Sequence, residues 1–328
     1  MNILVTGGAG YIGSVMVERL VSQGHTTVAY DSLELGHRQA VAPDAIFVQG
    51  LIQEKTKLVE IFRHHRIEAV IHMAAYALVG ESVKNPHKYF SNNFTGGLSL
   101  LEAMLEAEVK KIVFSSTCAT YGMPEKMPIT EDTPQHPVNP YGESKLAFER
   151  ALKWYDEAYG IRSACMRYFN AAGASENFGE DHHPESHLIP NVLGAALGKS
   201  SHVNIFGDDY PTPDGTCIRD YVHVIDLAEA HILALQVIEE KSQIYNLGHS
   251  SGYSVNEVVE TARRITGKNI ATEYAPRRPG DPPRLIANSE KAVRELGWTP
   301  QHSNLETIIE SAWQWHLSRP NGYSDRQA

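Results

Sequence analysis

At 328 residues the chain suffices for one large α/β domain or two smaller ones. Its 42% hydrophobic and 21% charged residues exclude a disordered or fibrous protein. A formal net charge of −10 argues against general binding to nucleic acid, so an anionic ligand needs a local cluster of arginines. Cys118, Cys165 and Cys217 are too few and too scattered for a disulfide framework or a zinc ribbon. No apolar run approaches the roughly 20 residues of a membrane span, and Met1 to Thr6 carries neither a basic n-region nor a cleavage signature. A reduced, cytoplasmic protein with no membrane partner is expected.

In chain order, strands are predicted at 2–6, 27–31, 45–49, 69–73, 111–116 and 161–168. Helical spacing fills 12–23, 54–65, 86–107 and 140–159 between them. Alternating strands and helices predict βαβ units, hence a doubly wound parallel sheet with ligands at the carboxyl ends of its strands. The stretch 173–186 reads as a long loop. A helix near 187–198, a strand at 203–206 and a Pro/Asp/Gly loop at 207–217 follow. Next come a helix at 224–240 and a strand at 243–247. Ser254 with Glu257 forms a capping box for a helix to about Thr266. A Pro/Arg-rich loop at 276–284 and two closing helices complete the chain.

The first strand runs into Gly7-Gly8-Ala9-Gly10-Tyr11-Ile12-Gly13. Glycines at 7, 10 and 13 let the backbone turn tightly and approach a pyrophosphate seated on the N-terminus of the next helix. Asp31, ending the second strand, offers a carboxylate to a ribose 2′-hydroxyl and would repel a 2′-phosphate, favouring NAD over NADP. Asn139-Pro140 opens a helix on which Tyr141 and Lys145 share one face. A nearby ammonium favours the phenolate, which makes Tyr141 a general base.

With Ser115-Ser116-Thr117 ending a central strand, this combination resembles the extended branch of the short-chain dehydrogenase/reductase superfamily. The run from Phe206 to Val224 narrows the likeness, as do Arg167-Tyr168-Phe169-Asn170, Ser186 to Asn191, and Arg277-Arg278-Pro279-Gly280-Asp281. These segments closely resemble the UDP-glucose 4-epimerase family, and the likeness extends from Met1 to about Trp298.

The resemblance implies a Rossmann-like NAD-binding domain over 1–170 and a smaller α/β UDP-sugar-binding domain over 171–328. It implies interconversion of UDP-galactose and UDP-glucose through transient oxidation at C4, with Tyr141 as base. Lys145 tunes that base and bonds the nicotinamide ribose, and Thr117 positions the 4-oxygen. Along the cofactor it sets Gly7, Gly10, Tyr11, Ile12, Gly13 and Asp31, then Leu51, Ile52, Ala74, Ala75, Asn93, Ser115 and Tyr168. Along the substrate it sets Thr117, Asn170, His187, Leu188, Asn204, Phe206 and Tyr221. Arg219 and Arg278 would neutralise the diphosphate, Phe206 would lie against uracil, and Asp281 would hold the uridine ribose. Leu285 would gate the sugar 2-substituent, making UDP-N-acetylgalactosamine a slower substrate than UDP-galactose. A homodimer through the helices near 86–107 and 140–159 is also implied.

Three positions depart from the family pattern. Gly50-Leu51 replaces the usual Gly-Asp at the adenine, Ala77 replaces a lysine near the cofactor, and His187 replaces an asparagine. His182-His183 with Asp181 and Glu185 could suggest a metal. A solvated loop is preferred, because the spacing matches no common site and the family chemistry needs no metal. Two rivals remain: a nucleotide-sugar 4,6-dehydratase on the same scaffold, and a catalytically silent NAD-sensing binding protein. The dehydratases carry Asp-Glu where this chain has Cys118-Ala119, and a silent sensor is expected to have lost the base.

Overall fold

The β-branched runs of the first half form β1 (Asn2–Thr6), β2 (Thr26–Asp31), β3 (Ile46–Gln49), β4 (Ala69–His72), β5 (Lys111–Thr117) and β6 (Arg162–Tyr168). The structure, a computed structural model, describes residues 1–278 and 280–324. Together with Gln243–Leu247 these strands make one seven-stranded sheet, in the order 243–247, β6, β5, β4, β1, β2, β3. Every pairing in it is parallel. Successive side chains alternate faces, so both faces are apolar. Ile3 and Val5 pack with Val15, Met16 and Leu235 on one side. Leu4 packs with Leu58, Phe62, Leu101 and Phe148 on the other.

The helices covering those faces are α1 (Tyr11–Ser22), α2 (Lys55–His64), α3 (Val79–Lys84), α4 (Pro86–Tyr89), α5 (Gly97–Glu106) and α6 (Pro140–Tyr159). The continuous helix expected over 86–107 is broken: Phe90–Gly96 widens into a π-helical turn between α4 and α5. Packing explains why glycine sits at the junction. A Cβ on Gly96 would lie 2.7 Å from Ile52, and one on Gly97 2.5 Å from Phe148. Helix α6 starts as read, with the Asn139 side chain accepting from the Gly142 N–H and Pro140 in the first turn.

The second half contributes β7 (Asn170–Ala172), α7 (Leu188–Ala196), β8 (Val203–Phe206), β9 (Ile218–Arg219), β10 (Tyr221–His223), α8 (Val224–Val237) and β11 (Gln243–Leu247). It ends with β12 (Tyr253–Ser254), α9 (Val255–Thr266), β13 (Thr272–Ala275), β14 (Arg284–Leu285), α10 (Glu290–Leu296) and α11 (Leu305–Ser318). Three small sheets pair β7 with β10, β8 with β13, and β9 with both β12 and β14. Their core gathers α7, α9 and α11 around Val192, Val258 and Ile308. Helix α8, strand β11 and helix α10 return to the core of the large sheet, so the chain recrosses the expected division at residue 170 repeatedly.

The 173–186 loop is not the solvated segment expected. Ala174, Ser175, Phe178 and Glu180 are buried in it, and Gly179 lies flat on Trp315, where a Cβ would come within 2.5 Å of the ring. Among the described residues no helix is long and apolar enough to cross a membrane.

Candidate active site

The three fingerprint glycines do different work. Gly7 has φ +71°, a left-handed conformation, and a Cβ there would lie 2.7 Å from the Ala74 nitrogen. A Cβ on Gly13 would come within 1.9 Å of the Gly7 carbonyl oxygen. Both are demanded by the turn itself. Gly10 is not: its Cβ would meet only the Gly7 oxygen, at 3.4 Å. It caps α1, which has no side-chain cap and no acidic residue in its first turn. A bare backbone at a helix N-terminus, with room kept clear beside it, fits the pyrophosphate of a dinucleotide. Tyr11 is tied back, its hydroxyl donating to the Gly173 carbonyl at 2.6 Å, and Ile12 packs against the core. Ala74 and Ala75 follow β4 beside this turn, the Ala74 N–H reaching Thr6 Oγ1 at 3.3 Å.

Asp31 is 8% exposed. Its carboxylate accepts from the Ala9 N–H at 3.0 Å and the Leu33 N–H at 2.8 Å. Burial raises its pKa, and the two backbone donors oppose the rise. The carboxylate therefore braces the glycine turn, while lone pairs remain for a ligand hydroxyl. Leu51 lines a cavity at the ends of β2 and β3 with Ser32, Gln49, Gly50, Glu54 and Lys57. Ile52 does not join it; its side chain is core, against Gly96. Asn93 is buried, accepting from the Tyr76 N–H at 2.9 Å and donating to the Tyr76 carbonyl at 3.0 Å and Ser144 Oγ at 3.2 Å. It shapes the segment after β4 and locks it to α6.

Tyr141, Lys145 and Thr117 meet where β5 ends against the first turns of α6, and all three are buried. Lys145 Nζ donates to the Ser115 carbonyl at 2.7 Å and lies 4.8 Å from the Phe114 ring centroid. Burial pushes Lys145 down to about 7, with Glu149 opposing. Thr117 Oγ1 accepts from the Ala119 N–H at 3.1 Å, which caps the turn after β5. Burial raises the Tyr141 phenol above its ordinary range, then Tyr168 adds to the rise, while the Thr117 hydroxyl lowers it. The sequence suggested an ammonium beside the phenol. Here the ammonium turns to Ser115, so burial decides the direction. Ser115 Oγ in turn bonds the Tyr168 hydroxyl at 2.6 Å.

The second-half residues converge on β9 and β14. Arg219 lies in β9, its guanidinium on the Asp281 carboxylate and the Ile218 carbonyl. Leu285 pairs with Arg219 across the sheet and packs beside Tyr121 and Phe169. Arg278 lies 4.1 Å over the Phe206 ring, so two groups assigned to different parts of the ligand touch. Pro279, which follows Arg278 in the motif, lies outside the described residues. Asn170 donates to the Asp220 carbonyl at 2.7 Å, and Tyr221 is buried. Asn204 is exposed on β8, Leu188 is half-buried at the start of α7, and His187 caps that helix. The imidazole of His187 lies 2.5 Å from Glu180, and although burial pulls its pKa down, Glu180 and Glu185 push it up to about 10.

Two acids escaped the sequence reading. Asp220 is fully buried and accepts from the N–H groups of His249 at 2.7 Å, Ser250 at 3.0 Å and Ala287 at 3.0 Å, joining three loops behind Arg219. Glu149 pairs with buried Arg167 at 2.6 Å and is one helical turn beyond Lys145. The i, i+4 step from Lys145 to Glu149 was the only available signal for it.

A doubly wound sheet with a bare-backbone glycine turn, beside a buried Tyr-Lys-Thr group, defines a dinucleotide-dependent enzyme acting on a hydroxyl-bearing substrate. Residues 3–248 match the NAD dependent epimerase/dehydratase family, and the chain belongs to that family. It is 52% identical to the UDP-glucose 4-epimerase of Lactobacillus helveticus, over 99% of this chain and 100% of that one. A crystal structure of UDP-glucose 4-epimerase superposes with a TM-score of 0.97 at 50% identity, covering 99% of this chain and 100% of that one. The UDP-glucose 4-epimerase from Brucella ovis in complex with NAD gives a TM-score of 0.93 at 46% identity, covering 95% and 97% of the two chains.

Proposed function

We propose that the chain is a UDP-glucose 4-epimerase, an isomerase that interconverts UDP-galactose and UDP-glucose with a bound NAD. The observation that carries this reading is the burial of Tyr141, Thr117 and Lys145 together, at the strand ends beside the glycine turn. When bound, NAD supplies a reversible hydride acceptor for the sugar C4. The protein moves the matching proton: Tyr141 takes it from the 4-hydroxyl and returns it, and Thr117 orients that oxygen. Lys145, turned to the Ser115 carbonyl, bonds the nicotinamide ribose and supplies the positive charge that offsets the phenolate.

Gly10 and the α1 N-terminus carry the pyrophosphate of NAD, Asp31 its adenosine ribose, and Leu51 the adenine edge. Apart from Tyr141 and Thr117, which face the sugar, residues to about 170 thus serve the cofactor and later ones the UDP-sugar. Arg219 exchanges part of its Asp281 contact for the diphosphate, leaving Asp281 to the uridine ribose. Arg278 swings from Phe206 so that uracil takes its place on the ring. Leu285 gates the 2-substituent. The protein is cytoplasmic and a homodimer, the latter supported by exposed Phe90, Trp154 and Tyr159 on the π-helical turn and α6.

The test is incubation of purified protein with UDP-galactose and no added cofactor. UDP-glucose as the product is the expected result. A 4-keto-6-deoxy sugar nucleotide would indicate the dehydratase instead, and an unchanged substrate a silent NAD-binding protein.

A further inference from the structure

The 173–186 loop and the cap of α7 bring Glu180, His182, Glu185 and His187 together, with one donor atom of each within 4.8 Å of every other. His182 Nδ1 lies 3.0 Å from Glu180 Oε1 and 3.9 Å from Glu185 Oε2. His187 Nδ1 lies 2.5 Å from the same Glu180 oxygen and 3.4 Å from Glu185 Oε1. Ligands bound at about 2.0–2.2 Å around a tetrahedral cation stand roughly 3.3–3.6 Å apart. These separations bracket that edge. Asp181 and His183, the other acid and imidazole of the run, lie outside the cluster, and Asp181 accepts from the Tyr323 N–H at 2.8 Å instead.

Packing outside the cluster fixes two of the donors, Glu180 and His182. The Glu180 side chain is 6% exposed. Its neighbour Gly179 is pinned on Trp315, the Ala174 N–H reaches Ser311 Oγ at 3.1 Å, and the Ser175 N–H reaches the Phe178 carbonyl at 2.9 Å. The His182 ring sits edge-on to Tyr11 of the glycine turn, centroids 6.1 Å apart. A rigid loop thus points two imidazole nitrogens at one buried carboxylate oxygen, with a second carboxylate alongside. A cation would displace the proton His187 shares with Glu180, leaving two carboxylates and two neutral imidazoles, which match a dication in charge and in donor type.

We propose that Glu180, His182, Glu185 and His187 form a binding site for a first-row divalent transition cation, zinc being the best fit. The site goes beyond the epimerase reading and does not depend on it. It clamps the loop between the cofactor turn and α7, and it fixes the ring of His187 at the N-terminus of that helix.

The test uses full-length protein with its nucleotide, stripped of metal by a chelator and titrated with Zn²⁺ by calorimetry. Expected is one equivalent bound, with an affinity lowered at least about 10-fold in His182→Gln, a partly exposed ligand. Co²⁺ should give the intense visible bands of a tetrahedral site in the parent and weak ones in His182→Gln. Zn²⁺ should raise the melting temperature of the parent more than that of the variant. His64→Ala/His65→Ala removes the adjacent histidine pair at the C-terminal end of α2 and should leave binding unchanged. Binding that survives in His182→Gln but vanishes in His64→Ala/His65→Ala would overturn the assignment, as would no binding at all.

Discussion

Tyr141 is buried with its ring edge-on to Tyr89, centroids 6.5 Å apart, so phenylalanine keeps the packing and removes only the hydroxyl. Tyr141→Phe should retain fold and nucleotide while turnover falls about 10²–10⁴-fold, the usual worth of a general base. Turnover and bound nucleotide, measured on the same preparation, check this. The glycines give a second prediction. Gly10→Ala should fold normally and hold NAD less tightly, because the new Cβ meets only the Gly7 oxygen, at 3.4 Å. Gly13→Ala should fail to fold or lose several degrees of melting temperature, since its Cβ would lie 1.9 Å from the same oxygen. Equal effects on melting and nucleotide content in both variants would contradict the division. Gly7, Asp31, Tyr141 and Lys145 were legible in the sequence because their chemistry is carried by local spacing. Asp220 was not, because its partners are backbone N–H groups of His249, Ser250 and Ala287, and nothing local announces them.

Helix ends proved easier to read than helix continuity. Asn139-Pro140 and the Ser254–Glu257 capping box declare their helices because a cap bonds groups three residues away. The break at Phe90–Gly96 was hidden, since it answers to Ile52 and Phe148, which reach it through the fold. The strand at 243–247 was read, but its place beside β6 was not, because sheet order is a long-range choice. Ser254→Ala should cost about 1–2 kcal/mol, as it deletes the cap and the bond to Asp214. Glu149→Gln should cost more, about 3–5 kcal/mol, because it leaves the Arg167 guanidinium buried without its counter-charge. It should also depress the Lys145 pKa further, as Glu149 is the group that raises it. Denaturant midpoints rank the two variants; the reverse order would contradict the role given to the buried pair.

Across the whole molecule, three buried histidines set the response to acid. His72, His223 and His231 are at most 1% exposed. Burial pushes them down to about 3, 4 and 4, with the Lys145 charge adding to the effect on His72. Unfolded, each would protonate near 6.5, so between that pH and about 4 the unfolded chain holds the extra protons. Each therefore contributes stability above about 6.5 that is lost at up to roughly 1.4 kcal/mol per pH unit as pH falls. His187, raised to about 10, acts oppositely: its contribution is full below about 6.5 and is lost as pH climbs from there to about 10. Denaturant midpoints should fall steeply from pH 6.5 to 4.5, and a flat profile would contradict the assignment. The same molecule has to keep the sugar's C4 hydrogen inside the pocket while the proton on the 4-oxygen passes to Tyr141. UDP-galactose deuterated at C4, incubated with purified protein and no added cofactor, tests that directly. The account predicts UDP-glucose with deuterium retained at C4, and NAD released on denaturation. Loss of the label to water, or a product that is not UDP-glucose, would contradict it.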